Sequence, residues 1–124
     1  AAMEPLNCTV HVQRDRCEVW VGTQVLTRAQ AVAAQVSGLP IEKVTVHNHL
    51  LGGGFGRRLE VDSIERAVQI GKQVTGPVKV VWTREEDTRH DMYRPYFYDE
   101  VEAGLDASGR PVAWRHRITG SSIL

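Results

Sequence analysis

The tightest constraint on the fold is the order in which the hydrophobic period changes along the chain. Residues 7–13 alternate, with Cys8, Val10 and Val12 on one face, and residues 17–22 repeat the pattern with Cys17, Val19 and Val21. Period two on either side of Arg14-Asp15-Arg16 predicts a β-hairpin. The period then lengthens. Ala29, Val32, Ala33 and Val36 recur at helical spacing behind Thr27, whose hydroxyl is expected to form a capping box with Gln30, and Gly38 and Pro40 stop the run. Val44 and Val46 mark a third strand running to Leu50-Leu51, with His47 and His49 on its other face. A second helix follows from Val61, Ile64, Ala67, Val68, Gly71 and Val74, with Glu60, Asp62 and Glu65 in its first turns and Lys72 in its last, as the helix dipole favours. Gly76-Pro77 ends it, and residues 78–82 read as a buried strand.

Strand, helix, strand, helix, strand in that order predicts two right-handed crossovers. Residues 83–95 are polar and aperiodic, so a long surface connection is expected there, a kind of segment that often carries function. A second hairpin comes last, over 96–105 and 111–119, with Val112, Trp114 and Ile118 on one face. The predicted fold is α+β: a two-layer sandwich, a mixed sheet with two helices on one face, forming a single module over residues 1–124. The ending Ser121-Ser122-Ile123-Leu124 has no cap or turn and reads as a cut.

Composition agrees with a sheet-rich core, since Val outnumbers Leu about two to one. Fifteen basic residues balance fifteen acidic ones, which leaves no cationic footprint for nucleic acid. No apolar run reaches membrane-spanning length, and the opening Ala1-Ala2-Met3-Glu4-Pro5 does not read as an export signal. Cys8 and Cys17 fall too far apart across the first hairpin for a bridge and read as small buried hydrophobes.

The run Gly52-Gly53-Gly54-Phe55-Gly56-Arg57-Arg58 is the loudest chemical signal, because four glycines in five positions cost conformational entropy unless something approaches the backbone. It is neither of the familiar phosphate loops: a dinucleotide fingerprint needs glycine where Arg57 stands, and a Walker A loop needs Lys-Ser or Lys-Thr. The plainer reading is a tight turn packing helix on sheet. His47 and His49 could ligate a metal but lack a third ligand at fixed spacing. Residues 84–87 (Arg-Glu-Glu-Asp) read as a solvated charge cluster, and Trp20, Trp82 and Trp114 as core. No Ser-His-Asp order or carboxylate pair stands out.

Five motifs in register carry a resemblance: Met3-Glu4-Pro5, Trp20-Val21-Gly22-Thr23-Gln24, the glycine run, Gly76-Pro77-Val78-Lys79, and Trp82-Thr83-Arg84-Glu85-Glu86-Asp87. Together they resemble the molybdenum-binding large subunit of the xanthine oxidase family of molybdenum hydroxylases. They are most similar to the isoquinoline 1-oxidoreductase beta subunit and the bacterial membrane-bound aldehyde dehydrogenase large subunit. The resemblance implies that Gln24 sits by an oxygen ligand of the molybdenum. It also implies that Gly54, Phe55, Gly56 and Arg57 belong to the loop that binds the cofactor, with the amides of Phe55 and Gly56 facing the metal and its dithiolene. Arg94-Pro95 matches a further, architectural landmark.

The implied cofactor is molybdenum-molybdopterin in its cytosine dinucleotide form. The implied partners are the remainder of the large subunit, a small 2Fe–2S subunit and a downstream electron acceptor, without nucleic acid. Leu59 stands where purine-oxidising members have an acid, so aldehydes or N-heteroaromatic carbons are the implied substrates. The family's catalytic glutamate lies downstream of this segment, so no catalytic residue is expected in it, and the isolated chain is expected to hold no molybdenum and to be inactive. Relatives of this type are often periplasmic or membrane-associated. The competing reading is a non-catalytic α/β interaction module that uses the 83–95 loop for protein contacts.

Overall fold

A computed structural model describes residues 2–122 of the chain. The expected ending at Ile123 and Leu124 lies outside the described residues. Strands β1 (Asn7–Val12) and β2 (Cys17–Val21) form the first hairpin, with Val12 paired to Cys17 and Cys8 to Val21. The alternation settles their faces: Cys8, Val10, Cys17 and Val19 are fully buried, while Thr9, His11, Glu18 and Trp20 turn to the other side. Each buried valine contributes roughly 1.5–3 kcal/mol.

Helix α1 (Leu26–Ser37) returns the chain so that β3 (Val44–Asn48) lies parallel to β2. Its start differs from the expected capping box. Thr27 makes no cap; the Thr23 hydroxyl accepts from Val25 N–H at 3.2 Å, and the Gln30 amide donates to the carbonyls of Ile41 and Val44 at 3.3 and 2.9 Å. Gly38 ends the helix as expected, at φ 79° with its N–H on Ala34 O. Helix α2 (Asp62–Gly71) buries Ser63, Ile64, Ala67, Val68 and Gly71 and ends short of Val74. Lys72, expected in the last turn, is instead the residue that caps the helix, and its ammonium donates to Val36 O at the end of α1 at 2.8 Å.

Strand β4 (Val78–Val81) pairs antiparallel with β1, giving the mixed sheet order β3-β2-β1-β4. Both crossovers are therefore present, because β4 runs parallel to β2 and β3. One expectation needs correcting: β4 is an edge strand with alternating faces, and Val81 is 57% exposed. The α+β sandwich is as read, with Ala29 and Ala33 of α1 and Ile64, Ala67 and Val68 of α2 packed on the Cys8, Val10 and Val19 face. No helix among the described residues is long and apolar enough to cross a membrane.

The 83–95 segment is not a loop throughout. Thr83 caps a short helix α3 (Arg84–Arg89) by accepting from Glu86 N–H at 3.2 Å. A Thr-x-x-Glu signature at 83–86 announces this cap, and the lack of apolar period hides the helix behind it.

The chain divides into two compact units, 1–91 and 92–124. The second is a hairpin of β5 (Phe97–Leu105) and β6 (Pro111–Gly120), closed by a turn in which Asp106 Oδ1 accepts from the Ser108 and Arg110 N–H groups. One face carries the cross-strand pairs Glu102–Arg115 and Glu100–Arg117, and the other carries Phe97, Val101, Trp114 and Ile118. Trp114 is 68% exposed, so the core expectation fails for it: a two-stranded ribbon has no second layer of its own to bury an indole.

A Cβ on Gly71 would stand 2.6 Å from Val10 Cγ2, so Gly71→Ala should cost about 1–3 kcal/mol in urea unfolding of the chain, although Ala is the better helix former. An unchanged midpoint would mean that α2 and β1 do not approach this closely. Burial pushes the Cys8 thiol up to about 12 and the Cys17 thiol up to about 11. A thiol whose pKa is raised on folding stabilises below its unfolded value and loses that contribution as pH climbs toward the folded one. Stability should therefore fall above about pH 9, less steeply in Cys8→Ala, as followed by urea midpoints across that range.

Candidate functional site

Two chain exits meet at the carboxyl ends of the parallel strands β2 and β3, the position where open α/β sheets present ligands. From β2 emerges Gly22-Thr23-Gln24, and from β3 the segment leading through Gly52 to Arg58. Thr23 N–H donates to Asn48 Oδ1 at 3.0 Å, and the Thr23 hydroxyl and Gln24 N–H both donate to Arg58 O, at 3.1 and 3.0 Å. The exits are thereby tied together by main-chain and short polar bonds.

On this frame the Gln24 side chain lies over the glycine run. Gly56 N–H donates to Gln24 Oε1 at 3.1 Å. An N–H can only be met by an acceptor, so the bond fixes which end of the amide faces the loop and leaves the Gln24 NH2 outside it. Gly54 sits directly beneath: a Cβ there would overlap Gln24 Oε1 and lie 2.6 Å from Gln24 Cδ. Gly56 is left-handed at φ 84°, and Phe55, a residue 74% exposed, shares that region at φ 49°. Gln24, Gly54, Phe55 and Gly56, four of the residues singled out from sequence, are therefore one local structure.

Arg57 belongs to the same turn but is spent elsewhere. Its guanidinium meets Asp62 through two bonds of 2.8 and 2.9 Å and Asp91 through Nε, with the side chain 11% exposed. The Asp62 hydrogen bond holds the Arg57 pKa above its ordinary value. Burial pushes the Asp62 carboxyl up, but the bonds and charge of Arg57 outweigh it and the net shift is downward.

Arg58 and Glu4 form the part of the site that sequence reasoning missed. Arg58 is 3% exposed and donates to Gly53 O at 2.9 Å, Gly22 O at 3.3 Å, Glu4 O at 3.1 Å and the Glu4 carboxylate at 3.0 Å. Glu4 Oε2 also accepts from Gly52 N–H at 2.6 Å, and this bond, followed by that from Asn7, holds its carboxyl below the usual range. The Met3-Glu4-Pro5 motif was the available signal, without any indication of its partner 54 residues away.

The other candidates are not brought together. His47 stacks on Trp20 with ring centroids 5.0 Å apart and faces Glu18 at 3.5 Å, whereas His49 lies beyond the end of β3 with its N–H on Val21 O. Among the described residues no group of three or more His, Cys, Asp or Glu side chains could hold a metal. In α3, Arg84 bonds Asp87 at 3.1 Å and Met3 O at 2.6 Å, so this pair secures the amino-terminal segment.

An α+β domain that closes a glycine loop and an amide donor over the ends of parallel strands has the form of a cofactor-binding domain. The chain belongs to the molybdopterin cofactor-binding domain family, whose model it matches over residues 1–122. It is 39% identical over 126 residues to the isoquinoline 1-oxidoreductase beta subunit of Brevundimonas diminuta, covering all of this chain and 16% of that relative. It is 34% identical over 112 residues to a membrane-bound aldehyde dehydrogenase (pyrroloquinoline-quinone) of Gluconacetobacter polyoxogenes, covering 90% of this chain and 14% of that one. Among solved structures, the Cu,Mo-CO dehydrogenase shares the fold at a TM-score of 0.70 and 23% identity, over 94% of this chain and 15% of that one. The chain thus spans about one-sixth of the length of the relatives it matches.

The interlock of Gly54 with Gln24 yields a prediction. Gly54→Ala should evict the Gln24 side chain and cost about 0.5–1.5 kcal/mol, the worth of the lost bond to Gly56. The same substitution in a Gln24→Ala background should cost much less, a non-additivity readable in a double-mutant cycle of urea midpoints. Equal costs in the two backgrounds would show that the side chains do not touch.

Proposed function

We propose that this chain forms one wall of the molybdenum-cofactor site in a molybdenum hydroxylase that oxidises aldehyde or N-heteroaromatic carbon. The observation that carries the proposal is the Gln24 amide pinned by its oxygen to Gly56 N–H, which leaves its NH2 as a preorganised donor beside a bare backbone. The fit to the family's cofactor is chemical: oxo and sulfur ligands accept hydrogen bonds, and the Gln24 NH2 is a neutral donor for them beside a loop with no side chain projecting from Gly54 or Gly56, the Gly56 N–H itself being taken by Gln24. When bound, the cofactor supplies the two-electron redox centre.

The rest of the work assigned to this chain is binding and orientation. Gln24 donates to an oxygen ligand, Gly54, Phe55 and Gly56 present backbone, and Arg57 fixes the exit of the loop through Asp62 and Asp91 so that the loop keeps its shape. In this proposal both units belong to one module of a larger molybdopterin-binding subunit. The cofactor is the cytosine dinucleotide form, electrons leave through a small 2Fe–2S subunit to a downstream acceptor, and the general base lies outside residues 1–124, so the isolated chain turns over no substrate. Leu59 at the purine-directing position favours aldehydes and N-heteroaromatics over purines.

In the full-length subunit, Gln24→Ala should lower turnover per bound molybdenum by about 10²–10³, the usual cost of one preorganised donor. Steady-state assay with a dye acceptor, normalised to metal content by mass spectrometry, measures this. Unchanged turnover, metal content and stability would show that the amide does not face the metal.

A further inference from the structure

We propose that Arg58, held by Glu4, is the positioning residue for the Gln24 amide, a role that rests on the cofactor function proposed above. The guanidinium is one rigid plane, and it grips three segments of chain at once. Nε takes Gly53 O in the glycine loop at 2.9 Å, Nη1 takes Gly22 O in the exit of β2 at 3.3 Å, and Nη2 takes Glu4 O at 3.1 Å and the Glu4 carboxylate at 3.0 Å. Its own carbonyl receives Gln24 N–H and the Thr23 hydroxyl. Gly22 and Gln24 flank Thr23 in the exit from β2, and Gly53 and Gly56 flank Gly54 and Phe55 in the exit from β3. The separation between Gln24 Oε1 and Gly56 N is therefore referenced from both sides to one group.

Glu4 makes the grip directional. One carboxylate oxygen serves both Arg58 Nη2 and Gly52 N–H, so the strap, the guanidinium and the start of the glycine loop close a single ring of bonds. Lysine cannot replace this arrangement, because a compact ammonium on a flexible stem does not span a planar fork aimed at separate carbonyls. The side chain is 2% exposed, and its partners are the loops and Glu4, through which it acts.

The test uses the full-length subunit and two variants, Arg58→Lys and Glu4→Gln. In the cofactor-free protein, hydrogen exchange read by mass spectrometry should be about tenfold faster or more in peptides covering 22–26 and 50–58, the loss of a charge-assisted bond. Peptides over β1 and β2 should keep their rates. In the loaded protein, the spectroscopic signature of the molybdenum should change per metal bound, and kcat should fall with KM little altered. Uniform acceleration across all peptides, or loop rates within twofold of the parent, would overturn the positioning role. Loosened loops with an unchanged molybdenum signature would overturn it too. The Gln24→Ala protein then separates the causes: if it also leaves the signature unchanged, the cofactor reading itself has failed, and if it alters the signature, only Arg58 is excluded. Should Arg58→Lys not fold, Glu4→Gln, at a partly exposed side chain, decides by the same readouts.

Discussion

The buried guanidinium of Arg58 is the interaction on which the loops at the carboxyl ends of β2 and β3 depend. Taking an unpaired charge out of water is prohibitive, so a buried arginine persists only where its donors and its charge are met. Here carbonyls from Gly22, Gly53 and Glu4 meet the donors and the Glu4 carboxylate meets the charge. Removing any one partner leaves a buried polar group unsatisfied, and the three segments are therefore held or lost together. The amino-terminal strap is secured a second time by Arg84 on Met3 O, so a stretch with no secondary structure becomes a fixed part of the site.

Arg57 and Arg58 are neighbours in one tight turn and do opposite work. Arg57 reaches the start of α2 and Asp91, and Arg58 reaches back to Glu4 and the exit of β2. Both charges are neutralised by carboxylates of the chain itself. With both guanidiniums paired inside the chain, the donor beside the glycine run is the neutral NH2 of Gln24, whose amide is fixed by the bond from Gly56 N–H. Such donors need no reorganisation when charge develops against them, which is the basis of electrostatic preorganisation.

Placement at the ends of β2 and β3 explains why this geometry can be built at all. Parallel neighbours send their chains out on the same side, and the bond from Thr23 N–H to Asn48 Oδ1 joins the two exits at their first opportunity. The helices that make the parallel pairing possible pack beneath through small residues. Ala29, Ala33, Ala67 and Gly71 let the helices and the sheet approach closely, so the position of the exits follows from a well-packed layer rather than from the loops themselves.

Sequence by itself determined what depends on near neighbours along the chain. Alternation fixed the faces of β1 and β2, helical spacing fixed the inward side of α1 and α2, and Gly38 fixed where α1 stops. Gln24 and the Gly54, Phe55 and Gly56 loop were singled out through motifs, and the structure brings them into contact. Tertiary structure decided the rest. That β4 closes against β1 and becomes an edge, that Thr23 rather than Thr27 serves the start of α1, and that Trp114 stays exposed all follow from which elements become neighbours. The division of labour between Arg57 and Arg58 was equally hidden, because adjacent arginines are indistinguishable until a turn aims them. Local periodicity is written every two or four residues, whereas the bond from Arg58 to Glu4 spans 54 residues and needs the first crossover to bring the ends of β2 and β3 side by side.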